Sequence, residues 1–376
     1  MNGMSNRTPA TARFRLVARF GWCFRSRTTH PMYRSTEMTR IPILSCTLAP
    51  CDCRSSSCKL QDRIYYHKNT NKSIGIIRYN INMPELPEVE TVRIGLQEFL
   101  TNQIVKSVDC DWPKSLPVEG DIVKTRLIGA KINSVNRRGK LIIIPLDTGY
   151  SILIHLKMTG QLVYRPNEGK GFGGGHPTDS LIEKLPDKST RVIIKLSEGT
   201  LFFNDQRKFG WVKLEPTKDL EKNNAFLKKL GPEPLEDSYS FDQFKVAIQK
   251  RSKTSIKAAI LDQTVLAGVG NIYADEALFS ARIHPATKVG QVSTVKLKRL
   301  YEAIREVMKL SISLGGSSDR NYVDAKGNKG SYLKFAKVFR REGQVCPGCG
   351  GNIVKIRVAG RGTHICPKCQ KIPRTK

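Results

Sequence analysis

No apolar run in the sequence comes near the roughly twenty residues that a membrane-spanning helix needs, which argues against a bilayer protein. Acidic residues are also scarce. Over 376 residues, 33 Asp and Glu face 63 Lys and Arg, a formal net charge of +30. A field of that sign selects a polyanionic partner, and without a span to seat the chain in lipid, nucleic acid is the expected one. The length allows two or three domains. The shortage of acids is most severe before Met83, where Glu37, Asp52 and Asp62 are the only ones. There no amphipathic or alternating period persists, and Cys23, Cys46, Cys51, Cys53 and Cys58 show no metal-ligand spacing. Such Arg- and Ser-rich sequence reads either as a transit peptide or as sequence upstream of the true start. The second reading is adopted: residues 1–82 form an atypical extension outside the mature protein.

What is present begins at Met83-Pro84-Glu85-Leu86-Pro87-Glu88-Val89-Glu90-Thr91. Pro87 suits the first turn of a helix, where a missing N–H costs nothing, and Glu88 and Glu90 suit its positive end. Val89, Val92, Leu96 and Leu100 then recur at helical spacing as one apolar face. If Met83 initiates and is removed, Pro84 carries a secondary α-amine, partly neutral and nucleophilic near pH 7 because such amines titrate at about 8. Attack on a sugar carbon gives an iminium, an electron sink, and Glu85 stands next to it to move protons. The plainer reading is a helix cap with surface carboxylates.

From Ile104 to about Leu214 the apolar runs are short and β-rich, at Lys131–Val135, Leu141–Ile144, Ile152–Leu156, Val192–Leu196 and Leu201–Phe203. Turn signals between them predict a β-sandwich. Gly169–Pro177, with five glycines, reads as a flexible surface loop. After Gly231-Pro232-Glu233-Pro234 the pattern turns helical. Helices are predicted over Phe241–Gln249, Ile256–Leu261, Ile272–Phe279 with Asn271 as cap, and Val295–Ser313. Gly315–Ser331 reads as a mobile loop.

Cys346, Cys349, Cys366 and Cys369 form two Cys-x-x-Cys pairs sixteen residues apart, the spacing of a four-thiolate zinc site. Between them Ile353–Val358, a turn at Ala359–Gly362 and Thr363–Ile365 predict a hairpin with Arg361 at its tip, suited to fork onto a phosphate. Gly268-Val269-Gly270-Asn271 reads as an anion cradle at a helix start or as a plain interhelical turn, with Lys253 and Lys257 upstream as phosphate contacts. Arg137-Arg138-Gly139-Lys140 is a basic turn. Met158 ends one strand. Arg207 and Phe209, two apart, are expected on one side of another, pairing a donor with an apolar wedge.

Taken together, Pro-Glu-Leu-Pro-Glu-Val-Glu-Thr, Gly-Val-Gly-Asn-Ile-Tyr-Ala-Asp-Glu and the spaced cysteines make Met83–Lys376 resemble the bacterial formamidopyrimidine-DNA glycosylases. The resemblance implies an α+β multidomain enzyme with an N-terminal β-sandwich and flanking helices (83–216). A helical helix–two-turn–helix domain (230–335) and a C-terminal zinc-finger β-hairpin (338–372) would follow. It implies excision of oxidised purines such as 8-oxoguanine from damaged double-stranded DNA, followed by β,δ-elimination at the abasic site. Pro84 would be the Schiff-base nucleophile and Glu85 the proton donor. Lys140 would serve β-elimination and Arg361 δ-elimination. Met158, Arg207 and Phe209 would fill the gap left by the flipped nucleotide, and Asn271, Lys257 and Lys253 would hold phosphates. The 315–331 loop would close over the extruded base. One structural zinc ion, no membrane, no required protein partner, a monomer, and a bacterial cytoplasmic, nucleoid-associated location complete the expectation; an organelle would follow only if the extension were a transit peptide. Relatives usually carry a histidine where Ser189 stands, with Arg191 the expected substitute, and a proline where Gln206 stands. The alternatives are an endonuclease VIII-like enzyme for oxidised pyrimidines, or a catalytically silent DNA-binding protein that retains the extension.

Overall fold

The computed structural model describes residues 84–176, 178–317 and 331–372. The extension, and the expected capping loop from 318 to 330, lie outside the described residues.

Helix α1 (Leu86–Leu100) starts at Glu85 as N-cap, with Pro87 in its first turn. The Glu88 side chain accepts the Glu85 N–H at 2.9 Å, which fixes the entry of the chain. The predicted face, Val89, Val92, Leu96 and Leu100, is buried in a core shared with β-strands. Leu86, one turn earlier, is buried in a second core made of helices. One helix is thus clamped at both ends by different halves of the molecule, and its N-terminus lies at the seam.

Nine strands make the sandwich. One sheet has the order β1 (Val105–Cys110), β7 (Thr190–Leu196), β8 (Gly199–Asp205), β5 (Gly160–Pro166), β6 (Phe172–Gly175). The other runs β2 (Asn136–Arg138), β3 (Leu141–Pro145), β4 (Tyr150–His155), β9 (Trp211–Pro216). Alternation decides what faces inward: Val192, Ile194 and Leu196 meet Ile142, Ile144, Ile152 and Ile154 in the α1 core. Ile193 and Phe202 turn outward into a small satellite cluster with Leu181.

Two sequence expectations fail here. Lys131–Val135 is not a strand; only single bridges form, at Lys131 and Ile132. Gly169–Pro177 is not a free loop, because Phe172–Gly175 pairs with β5 as an edge strand and is buried. Its glycines answer to crowding. A Cβ on Gly175 would stand 2.4 Å from the Gly160 carbonyl oxygen, and Phe172 itself fills the space over Gly95 of α1.

The helical half follows the predicted periods: α2 (Phe241–Gln249), α3 (Ile256–Leu261), α4 (Asn271–Ser280) and α5 (Thr294–Ser313). Helix α4 is buried from Ile272 to Phe279, as befits the central helix of a core. Leu297, Leu300, Ile304, Val307 and Met308 of α5 pack against it. Asn271 does not cap α4; Gly270 is the N-cap, and Asn271 is the first helical residue. The last element is a hairpin of β10 (Val354–Val358) and β11 (Arg361–Ile365). Its final pair is Val358–Arg361, so Ala359 and Gly360, both at positive φ, form a two-residue turn. No helix among the described residues is long and apolar enough to cross a membrane.

Candidate active site and nucleic-acid interface

Glu85 is 3% exposed and sits against the N-terminus of α4, where its Oε1 accepts the Ile272 N–H at 3.1 Å. Gly270 makes this approach feasible: a Cβ there would lie 2.1 Å from the Glu85 carboxyl carbon. Gly268, at φ +88°, similarly leaves room for Leu86. The glycines expected to cradle an anion therefore admit the start of α1, and the anion at the α4 dipole is Glu85 itself.

Burial pushes the Glu85 carboxyl up to about 7, and Glu88 adds to the rise, while Lys140 and the α4 N–H groups pull against it. Its second oxygen, Oε2, is buried without a hydrogen-bond partner among the described residues. A carboxyl in that state is a proton donor aimed at whatever enters the site. Pro84, its chain neighbour, is also buried.

Lys140 faces Glu85 and Glu88 from the β2–β3 turn. It is 7% exposed and donates to the Val269 carbonyl at 3.2 Å. Burial lowers its pKa, the two carboxylates oppose that, and Arg361 reinforces it. The turn is clasped from outside. Arg137 bridges Glu90 at 2.7 Å and Glu233 at 2.8 Å, and Glu233 also accepts the N–H of Gly139.

Met158, Arg207 and Phe209 come together on the sandwich. Arg207 donates to the Met158 sulfur at 3.3 Å and lies 4.8 Å over the Phe209 ring, which is half exposed. Arg207 and Phe209 sit on a turn rather than the strand expected from their spacing, because Lys208 between them adopts a left-handed conformation. The organiser of this turn is Asp205, which had no role in the sequence reading. Fully buried, it accepts the Arg207 N–H at 3.1 Å, the Gly210 N–H at 2.6 Å and the Thr159 hydroxyl. Thr159 follows Met158, so one carboxylate ties both turns. His155 holds the other end, its Nδ1 accepting the Lys157 N–H at 3.0 Å. Burial, with Lys157 and Lys140 nearby, pushes its pKa down to about 3, so the ring stays neutral.

The phosphate-binding expectations divide. Lys253 is exposed. Arg361 is exposed at the start of β11, and Asn271 donates to the Gly362 carbonyl at 3.1 Å, beneath the hairpin turn. Lys257 is corrected: it is fully buried, with Nζ 2.5 Å from Asp275 and 2.7 Å from the Thr363 hydroxyl. Asp275 in turn accepts the His364 N–H at 2.9 Å, so the pair bolts the hairpin to α4. Ser189 and Arg191 are buried as well. Ser189 bonds Asp187, and Arg191 is engaged by the Asp205 carbonyl and by Asp111 at 3.0 Å, which leaves neither offered to a ligand.

The four cysteine sulfurs Cys346, Cys349, Cys366 and Cys369 all lie within 4.8 Å of one another. Four converging thiols fit one tetrahedral zinc ion with no position open for water, a structural site.

Sandwich, helical unit and four-cysteine hairpin, with an acid–base pair at their seam and cations around it, define a class of enzyme that works on a polyanion. Family models match three consecutive parts of the chain. The formamidopyrimidine-DNA glycosylase N-terminal domain covers residues 83–212, the H2TH domain of the same enzymes 230–322, and the zinc finger found in FPG and IleRS 343–372. Formamidopyrimidine-DNA glycosylase of Desulfitobacterium hafniense is 40% identical over 291 residues, which are 77% of this chain and all of that protein. The Pelotomaculum thermopropionicum enzyme is 41% identical over 292 residues, again 77% of this chain and its own full length. A mutant Lactococcus lactis FPG in complex with a Fapy-dG-containing DNA superposes with a TM-score of 0.67 at 34% identity, over 77% of this chain and 100% of that one. The chain belongs to the formamidopyrimidine-DNA glycosylase family, whose members join DNA glycosylase and AP lyase activities.

Proposed function

We propose that the protein is a base-excision enzyme that removes oxidised purines from double-stranded DNA and then cuts the backbone at the abasic site. The buried Oε2 of Glu85, partnerless among the described residues and on a carboxyl raised to about 7, carries the reading, since opening a sugar ring by an amine calls for an acid at its ring oxygen. The Pro84 amine, free in a chain that starts there, attacks C1′, and the bond from C1′ to the base breaks. Glu85 donates its proton to the ring oxygen, and the open sugar is left as an iminium on Pro84. That cation acidifies C2′. Loss of the C2′ proton expels the 3′-phosphate, a step assigned to Lys140, whose pKa burial lowers. A second elimination, assigned to Arg361, expels the 5′-phosphate.

The base must leave the helix first, at a cost of about a few kcal/mol. Met158, Arg207 and Phe209 form the wedge that fills the vacated space, while Lys253 and Asn271 hold the backbone. Zinc acts by shaping the hairpin that bears Arg361. The working parts run over 83–216, 230–335 and 338–372, the chain acts as a monomer without a protein partner, and the bacterial cytoplasm, on the nucleoid, is its place.

The test joins two measurements on protein made from the full reading frame. A chain with Pro84 as its terminus, by intact mass, is expected to be trapped on an 8-oxoguanine duplex by borohydride, and faster than on a thymine-glycol duplex. Faster trapping on thymine glycol would replace the purine reading with the pyrimidine one. Duplex binding with no trapping by such a chain would leave a silent DNA-binding protein.

A further inference from the structure

Two buried carboxyls, Glu85 and Glu88, share one corner of the site, and their surroundings are unequal. Glu85 faces the α4 N–H groups of Ile272 and Tyr273 and has an oxygen with no partner among the described residues. Glu88 is met by donors throughout. Its Oε2 takes the Glu85 N–H at 2.9 Å, and its Oε1 takes the Tyr273 hydroxyl at 2.5 Å and the Ser317 N–H at 2.9 Å. Tyr273 is itself fully buried on α4, with Ser311 of α5 at 2.6 Å from its hydroxyl. With the phenol proton directed to Glu88, the Ser311 hydroxyl donates to the phenol, and the chain Ser311–Tyr273–Glu88 points all its protons one way.

We propose that Tyr273, backed by Ser311, is a positioning residue that holds Glu88 as the ionised member of the pair, so that the pair's single proton resides on Glu85. The inference rests on the reading of Glu85 as the acid. Three donors stabilise negative charge on Glu88, and like charge at close range then disfavours a second anion on Glu85. The other charged or titratable groups around Glu85 are Lys140 on the β2–β3 turn, Lys257 on α3 and Tyr332 beyond the loop. Lys140 favours ionised Glu85, and Lys257 is already saturated by Asp275, so neither supplies the bias toward the protonated form. Tyr273 never needs to ionise: burial and the two carboxylates hold its pKa well above the ordinary phenol value. It works as a fixed donor.

The experiment is a carboxyl carbon NMR titration of the full chain labelled at glutamate, with Glu85→Gln and Glu88→Gln used only to assign the two resonances. In the wild type the step near neutral pH is expected on Glu85. In Tyr273→Phe that step moves to Glu88, while Glu85 titrates at least one pH unit lower; Ser311→Ala, a milder change, moves it the same way by less. Strand cleavage of an abasic duplex at pH 7 is expected to fall about tenfold in kcat with KM little changed, the mark of a mis-set proton rather than lost binding. A neutral-pH step that stays on Glu85 in both variants overturns the proposal. Because the titration needs no turnover, a wild type that fails to trap DNA would count against the enzymatic reading alone.

Discussion

Lys140 and Lys257 are both buried lysines near carboxylates, and the fold treats them in opposite ways. Lys257, at the seam between α3, α4 and the hairpin, has every visible need met, by Asp275, the Thr363 hydroxyl and, at 3.4 Å, the Gly362 carbonyl. Lys140, on the floor of the site, has one carbonyl contact and feels Glu85 and Glu88 only at longer range. A saturated buried cation is a strut. An under-satisfied one beside a buried acid is held ready to exchange a proton; burial lowers the pKa of both lysines, so it is the contacts that tell them apart. Positive charge that looks the same in the sequence has been given a mechanical task in one place and a chemical one in the other.

The largest way to break the contrast is Lys257→Met. Removing one partner of a fully buried pair strands Asp275 in the interior, and a loss of about 3–5 kcal/mol is expected. Urea unfolding of the zinc-loaded protein measures it. The double variant Lys257→Met/Asp275→Leu should recover much of the loss, since an apolar pair of similar volume tolerates burial. The hairpin would suffer with stability: products of the second elimination should fall relative to the first, because Arg361 sits two residues from Thr363. Unchanged unfolding in Lys257→Met would return Lys257 to the surface role that its position beside Lys253 suggests.

Lys140→Gln should do the reverse. Strand cleavage at a preformed abasic site is expected to fall by about two to four decades, the range for a lost acid–base group. Stability should hold or rise, since a buried cation whose one hydrogen bond is to a carbonyl has been removed. Quench-flow cleavage assays beside urea melts separate the two quantities. A melt that collapses with the activity would make Lys140 another strut.

Lys257 also shows where sequence reading stops. Periodicity placed α2 and α3 at their observed limits, and the α1 and α5 apolar faces are the buried ones, because a helix in a packed core obeys its own local repeat. The four cysteines were equally legible, since metal spacing is local too. What failed depended on partners far along the chain. Asn271 looked like a cap, but the acceptor at the α4 terminus comes from Glu85, 187 residues away. Glycines at 171–175 looked like a loop because composition does not record that Tyr164, Leu181 and Gly160 crowd against them. Arg207 and Phe209 meet Met158 as expected, yet on a turn set by Asp205, a residue whose burial no local pattern announces.

The smallest effect sharpens the comparison most. Glu85 has a pKa near 7 in the folded chain against 4.5 as the ordinary value, so between those pH values the folded state binds the extra proton. Its stabilising contribution is therefore complete below about 4.5 and is lost as pH rises through about 7. Activity that depends on the protonated acid falls on the same side, by about one decade, or about 1.4 kcal/mol, per pH unit above that point. The urea-midpoint difference, wild type minus Glu85→Gln, should decline across this range, because the buried histidines and Glu276 contribute equally to both proteins and cancel. If that difference instead rose with pH, Glu85 would be a stabilised anion at the α4 terminus, a cap like any other, and the acid would have to be sought elsewhere.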